Sequence, residues 1–428
     1  MSKFQIILMV VFGAFIVLAV IIFSTYRGAS GGDVTITVWG DIPSFDFNQL
    51  LSTPEFSSNK AFGIVYREIP AASIDAEFTE ALARDTGPDL FILTQDRFLE
   101  NKPKLLVIPY EAYTERDFKN TFIEEGELFL DPNGVYALPL LIDPLVLYFN
   151  RDMLSSVGRA SPMGYWDEIY ASAADLSKKD VAGNLISSVM ALGESRNIPH
   201  AKDFLSLLML QAGTPIVALV GEDLRAQVSE SFNLPVVPGE AALEFYTQFS
   251  NPTKNFYSWN RSLIDAQTHF TSGDSAYYLG FASEYRVLKN KSPNLNFGVA
   301  PVPQSRVSNR VITFGNLRGV AISRGSRNPA VALEAAKKLT SQDPSGLLSQ
   351  ALLLPPTRRD LLTRRPTDAV LSVFYDAALQ SRAWLDPSER ETDAIFREAI
   401  ESVTSGRARV LEAVAKMNRD LDSIIRQR

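Results

Sequence analysis

The sequence predicts an α/β fold, and three observations carry the prediction. Val34-Thr35-Ile36-Thr37-Val38-Trp39 alternates β-branched residues with threonine, as a strand does; Ile74, Phe78, Ala81 and Leu82 recur at helical spacing; and Asp89-Leu90-Phe91-Ile92-Leu93 is a short apolar run of the kind buried on both faces in a parallel sheet. Strand, helix and strand in succession form the unit from which such sheets are assembled.

Ahead of these elements, Ile6 to Phe23 is a run of 18 apolar or small residues without a charge, between Lys3 and Arg27. A secretory apolar segment is about 7 to 15 residues long, whereas a helix crossing the hydrocarbon core needs about 20. Residues 6–26 are therefore expected to form a transmembrane signal anchor, with 1–5 cytoplasmic, the Gly- and Ser-rich 27–32 a flexible tether, and the body outside the cytoplasm. Lys3 and Arg27 nearly balance, so charge specifies the orientation only weakly. No cysteine follows the run, which excludes lipidation there.

After Asp89 the pattern continues. Tyr136 to Pro139 and Leu145 to Phe149 read as strands, and Trp166, Ile169, Ala173 and Leu176 line one face of a helix. Phe204 to Gln211 is nearly apolar all round and reads as a buried helix, while Ala241 to Phe249 is amphipathic. Ser275 to Leu279 and Phe297 to Ala300 read as strands, and Asn328-Pro329 opens a helix with Pro at its first position. The C-terminus is helical: Ile395, Phe396, Ala399, Ile400 and Val403 form one stripe, Ser405-Gly406 breaks it, and Val410, Leu411, Val414, Met417, Leu421 and Ile425 form another.

Composition narrows the chemistry. The 428 residues suffice for two or three domains at about 100 to 200 residues each. There is no cysteine, which removes disulfides, thiolate metal sites and a cysteine nucleophile; two histidines, His200 and His269, rule out a His-rich metal centre. His200 reads as a solvated loop residue before a helix and His269 as a packed helix residue. Beyond residue 32 the chain holds 40 basic and 49 acidic residues, so a broad nucleic-acid-binding face is not expected. The densest basic run, Arg358, Arg359, Arg364 and Arg365, reads as a solvated helix end. No phosphate loop, dinucleotide fingerprint, zinc-protease helix or serine elbow occurs, and no cofactor or metal is expected.

Several segments taken together resemble the family 1 extracellular solute-binding proteins of ABC importers, the group that contains the maltose-binding proteins. Thr35 to Trp39 is similar to the family's first strand and Gly87 to Phe98, ending Asp96-Arg97-Phe98, to its second. Tyr136 to Pro139 leading through Asp143 to Leu147-Tyr148-Phe149-Asn150-Arg151-Asp152-Met153-Leu154 resembles the crossing strand and its ending, and Trp166 to Ile169 a helix start. Phe270 to Ala276, Phe297 to Pro303 and Gly319 to Ser323 resemble three later segments, in order.

The resemblance implies a periplasmic-binding-protein-like type II fold: two α/β lobes joined by crossing segments, with a solute held in the cleft and hinge closure around it. It places one lobe at 33–142 and 301–345 and the other at 143–300 and 346–428. It implies no enzymatic activity, a monomer, ABC permease subunits as partners, no nucleic acid, and a small polar ligand, a sugar or derivative. Two rival readings stand beside it: a sensory or scaffold ectodomain of the same fold, and a glycan hydrolase working through Asp96 and Asp143.

The site residues it implies are Trp39, Asp41, Gln95, Asp96, Arg97, Asp143, Phe281, Tyr285 and Arg318. Asp96 and Arg97 match residues that bond sugar hydroxyls, and Asp143 falls where members carry a Glu. Read locally, Asp96 is a helix N-cap and Asp143-Pro144 a turn. Trp39, Phe281 and Tyr285, with Phe45, Phe47 and Trp384, are candidate aromatic walls. The positions of the maltodextrin-stacking tryptophans fall at Leu93, Ser283 and Asp393, which argues against a maltodextrin ligand. Arg318 is expected in a cleft-lining loop, where with Arg97 and Arg286 it could meet an anionic solute.

Overall fold

The computed structural model describes residues 34–221, 223–306 and 310–427. The expected anchor, 6–26, and tether, 27–32, lie outside the described residues. Among those described, no helix is long and apolar enough to cross a membrane.

The strands used below are β1 (Val34–Gly40), β2 (Phe62–Glu68), β3 (Leu90–Thr94), β4 (Ala137–Asn150), β5 (Leu185–Met190), β6 (Ser275–Phe281), β7 (Phe297–Ala300), β8 (Thr313–Ser323) and β9 (Ser381–Arg382). The main path runs β2-β1-β3-β8-β4-β6-β5. β1 is parallel to both β2 and β3, and β8 runs antiparallel to β3 on one side and to β4 on the other. The five residues of β3 are all buried, as their unbroken apolar run requires.

β4 is one 14-residue strand where the sequence suggested two. Its first part, from Ala137 to Pro144, pairs with β8, and its last residues, from Leu145 to Asn150, lie between β6 and β7. Asp143-Pro144 is therefore not a turn. Both prolines, Pro139 and Pro144, sit within the extended backbone opposite Gly319 and Gly315 of β8. β8 in turn shifts register between Arg318 and Gly319, and Gly319 makes room there: a Cβ on it would stand 2.6 Å from the Phe129 ring. Arg318 thus lies within a strand and not in a loop.

The helices used below are α1 (Ile74–Ala83), α2 (Glu168–Leu176), α3 (Ala201–Ala212), α4 (Pro238–Thr247), α5 (Glu284–Lys291), α6 (Pro329–Leu339), α7 (Glu389–Thr404) and α8 (Val410–Ile425). α1 packs Ile74, Phe78 and Ala81 inward, with Phe78 stacked on Phe91 of β3 at 4.0 Å between centroids. α3 buries nine of its twelve residues, in line with its apolar sequence, and ends on Gly213 in the left-handed conformation. α6 starts at Pro329 as expected, although the Asn328 side chain makes no capping bond. α7 and α8 pack on one another across the Ser405-Gly406 break, with Gly406 at φ +72°. Arg358 and Arg359, read as solvated, instead bond Asp360, the Thr340 carbonyl and the carbonyls of Lys119 and Phe122.

Glu125 sits where three of these segments meet. A Cβ on Gly315 of β8 would stand 2.6 Å from Glu125 Oε2, 2.7 Å from Ile142 of β4 and 2.8 Å from Ser381 Oγ of β9, so only glycine fits. The carboxyl group is 2% exposed and neither oxygen has a hydrogen-bond partner. Burial pushes its pKa up to about 8, against a smaller opposing pull from the Arg382 charge, so at neutral pH it is largely protonated.

Candidate functional site

The parallel strands β1 and β3 end side by side, and each is followed at once by polar or charged residues: Asp41 after β1, and Gln95, Asp96 and Arg97 after β3. The carboxyl ends of parallel strands are where open α/β sheets hold ligands. From β8, Arg318 donates to Asp41 through Nε at 3.2 Å and Nη2 at 3.0 Å, a two-pronged pair. Burial by itself would raise the Asp41 carboxyl, but the Arg318 charge and hydrogen bonds outweigh it and hold the carboxyl below its ordinary value.

Opposite this pair, Asp143 of β4 is 5% exposed and accepts a hydrogen bond from the Ser283 backbone N–H at 2.9 Å. Burial raises its pKa, partly countered by Ser283 and by the field of Arg318. Its register neighbour on β8 is Asn316, whose side-chain oxygen is buried without a partner. Arg318 thus pairs with Asp41 and lies within the field of Asp143.

Two further groups close its sides. The Lys202 ammonium, near the start of α3, donates to Asp386 at 2.7 Å and to Thr392 Oγ1 at 3.2 Å, with its side chain 9% exposed. Burial pushes the Asp386 carboxyl up to about 6, still low enough for an intact ion pair at neutral pH, and Asp386 and Asp203 hold Lys202 charged against its own burial. Arg97 donates to Glu389, the first residue of α7, through Nε at 3.0 Å, and to the Ala71 carbonyl at 2.6 Å, with Asp75 at 3.4 Å. Asp96 accepts a short hydrogen bond from Thr94 Oγ1 and its charge is felt at Arg318, Lys202, Asp386 and Glu389, which places it among them.

The third group was not anticipated. His200, expected to be solvated, has Nε2 2.9 Å from Glu284 Oε1 and Nδ1 3.7 Å from Asp203 Oδ2, and its ring meets Phe281 edge-on at 4.8 Å. Desolvation alone would lower its pKa, but the two carboxylates raise it to about 10 and keep the ring charged. Glu284 also accepts from Tyr278 Oη and Gln267 Nε2, both at 2.6 Å, and from the Phe281 backbone N–H at 2.8 Å. His269 is buried, bonds Ser275 Oγ at 2.8 Å and packs edge-on against Trp259, as a packed helix residue should.

Of the sequence-predicted residues, the structure brings Asp41, Asp96, Arg97, Asp143, Arg318 and Phe281 into this one cluster. It directs three elsewhere. Both ends of the Gln95 amide are taken by β8, accepting from Leu317 N–H at 2.6 Å and donating to the Gly315 carbonyl at 3.4 Å, which ties β3 to the crossing strand. Trp39 is 8% exposed with the Arg67 guanidinium over its ring at 4.6 Å, and Tyr285 packs against Phe297 and Phe374. Of the other candidate aromatics, Phe47 is fully buried and Phe45 is 80% exposed, while Trp384 is 3% exposed and stacks on Phe396. Tyr277 and Tyr278 are both buried within β6. Among the described residues no group of three or more His, Cys, Asp or Glu is placed to hold a metal ion.

A family profile described as bacterial extracellular solute-binding protein matches residues 56–367. A binding protein of Brucella abortus (strain 2308) is 22% identical over 293 residues, which is 67% of this chain and 66%, just under two thirds, of that relative. A Brucella suis biovar 1 protein matches to the same extent. Among solved structures, the cyclic α-maltosyl-1,6-maltose binding protein from Arthrobacter globiformis superposes with a TM-score of 0.76 at 15% identity, covering 93% of this chain and 100% of its own. A cyclo/maltodextrin-binding protein complexed with maltotetraose gives 0.73 at 16% identity, with 93% and 98% covered. The GacH receptor of Streptomyces glaucescens, solved unliganded and with acarbose, gives 0.70 at 17% identity, with 92% and 99% covered. These likenesses establish a shared mixed α/β fold.

Proposed function

The chain belongs to the bacterial extracellular solute-binding proteins, and on that premise we propose that it captures a small polar solute, a sugar or sugar derivative, between two lobes and delivers it to an ABC importer. The lobes are residues 33–142 with 301–345 and residues 143–300 with 346–428, and the segment 6–26 anchors the body to the membrane. The observation that carries the reading is the charged cluster itself. It is assembled at the carboxyl ends of β1 and β3 from residues of both proposed lobes, with Arg97 and Glu389 meeting across the division. Similar structures are described with maltotetraose, acarbose, tagatose and mannotriose, which supports a carbohydrate.

The geometry favours a neutral solute over an anionic one. Arg318 and Arg97, which the sequence offered as anion ligands, each already face a carboxylate, as do Lys202 and His200. An anion would have to displace a partly buried ion pair, whereas hydroxyl groups can add hydrogen bonds to Asp96 and Asp143 without breaking one. Calorimetric titration of the full chain with a panel of neutral, acidic and amino sugars tests this. A neutral sugar is expected to bind at about micromolar affinity, near -8 kcal/mol, and Asp96→Asn and Asp143→Asn are each expected to weaken it at least tenfold. Absence of any binding sugar, or binding indifferent to both substitutions, would overturn the proposal.

A further inference from the structure

Arg97 is held from two sides. Toward its own sheet, Nη1 donates to the Ala71 carbonyl at 2.6 Å and stands 3.4 Å from Asp75 Oδ2. Asp75 is fixed in turn by Asn101, which is fully buried and donates to Oδ1 at 2.8 Å. Nε and Nη2 point the other way, and both reach Glu389 Oε2, at 3.0 and 2.8 Å. A guanidinium is planar and rigid, so fixing Nη1 also aims the other two nitrogens at Glu389.

The two sides belong to different parts of the fold. Arg97 follows β3, which pairs with β1 and β8. Glu389 is the first residue of α7, which packs on α3 and α8. On the two-lobe reading proposed above, on which this inference rests, the pair spans the cleft. The other two ion pairs of the cluster do not: Asp41 and Arg318 lie in one proposed lobe, and Lys202 and Asp386 in the other.

The spanning pair is also the one that can break and re-form. The Glu389 side chain is 46% exposed, so on separation it is taken up by water, while Arg97, only 14% exposed, keeps the Ala71 carbonyl and Asp75. Neither partner is stranded as an unpaired buried charge, which is what makes the rupture of a buried pair costly. Asp41 and Asp386, with side chains 17% and 2% exposed, have no such alternative.

We propose that Arg97 and Glu389 form a latch, a pair of positioning residues that stabilises the closed cleft through the protein itself, whatever the solute. Closure around a neutral sugar should then depend on salt although the sugar carries no charge. The chain has no cysteine, so Ala174→Cys on α2 and Ala330→Cys on α6, both exposed, place one spin label on each proposed lobe of the full chain. Pulsed electron double resonance reads the short and long separations with no sugar added, so the result does not depend on having found the solute. Glu389→Gln is expected to lower the closed-to-open ratio about fivefold. Arg97→Gln should do the same, and the double variant should show no further loss, because either single change already breaks the pair. In 1 M NaCl, where the screening length falls to about 3 Å, the wild type should move toward Glu389→Gln. If Arg97 served only to brace Ala71 and Asp75, Glu389→Gln would leave the ratio unmoved. Two populations whose ratio ignores Glu389→Gln, or single losses that add in the double variant, would overturn the latch alone. One fixed separation in every variant would overturn the two-lobe reading with it.

Discussion

Replacing Glu125 by Gln should remove a loss of stability of about 5 kcal/mol that the wild type suffers as pH rises from 4.5 to 9. In the folded chain the carboxyl is pushed up to about 8, against 4.5 for an unperturbed glutamate, because it is buried without a hydrogen bond. A raised pKa means that the folded state holds a proton which the unfolded chain releases. The stabilisation is therefore complete below pH 4.5 and is lost as pH rises through about 8. At about 1.36 kcal/mol per pH unit, about 3 kcal/mol disappears between pH 4.5 and 7 and about 5 kcal/mol by pH 9. Glutamine keeps the shape, stays neutral and retains the unpaired polar atoms, so the variant should lie close to the wild type near pH 5 and exceed it by about 3 kcal/mol at pH 7 and about 5 kcal/mol at pH 9. With roughly 1 °C per kcal/mol for a chain of this size, the difference in Tm should approach about 5 °C at pH 9. Differential scanning fluorimetry across that range measures it. Parallel curves of Tm against pH for the two proteins would refute the reasoning, because they would mean that Glu125 finds a partner or water on ionising.

The same reasoning applies at the cleft. Arg318→Met leaves Asp41 as a mostly buried, unpaired carboxylate, and breaking such a pair costs about 3 to 5 kcal/mol; a loss below about 1 kcal/mol in thermal unfolding would show that Asp41 is better solvated than its 17% side-chain exposure implies. His200, raised to about 10 by Asp203 and Glu284 despite its burial, should stay protonated from pH 6 to 8.5, and the stability it adds should fade only as pH rises from 6.5 through about 10. With two histidines in the chain, proton NMR can follow each ring; His269, lowered by its burial, should remain neutral at pH 7, and a His200 midpoint near 6.5 would contradict the assignment.

The elements visible in the sequence were those with a single environment along their length. β3 is buried throughout and α8 presents one continuous buried stripe, so periodicity suffices for both. β2 escaped notice because Phe62–Glu68 buries only Phe62 and Tyr66 and ends in Arg67 and Glu68. β4 was read in two pieces, and only Gly319 to Ser323 of β8 was picked out, for a different reason. Each runs from one strand neighbourhood to another, so Pro139, Pro144, Gly315 and Gly319 look like breakers although the long antiparallel pairing carries the backbone through them.

The cleft shows a sharper limit. Asp41 pairs with Arg318 at a separation of 277 residues and Arg97 with Glu389 at 292, so no local pattern connects them. The family resemblance marked Asp41, Arg97 and Arg318 as site residues, but only the fold shows that each arginine already faces a carboxylate. This reverses the inference about the solute. Side chains that looked like free cations for an anion prove to be the supports that hold Asp41 and Glu389 in place. On the proposed reading it is the acceptors at Asp96 and Asp143 that would meet a solute. His200 illustrates the converse. An isolated histidine before a helix carries no signal until β6 and α5 bring Glu284 to within 2.9 Å, and it then becomes a fixed charge against which the Phe281 ring packs edge-on.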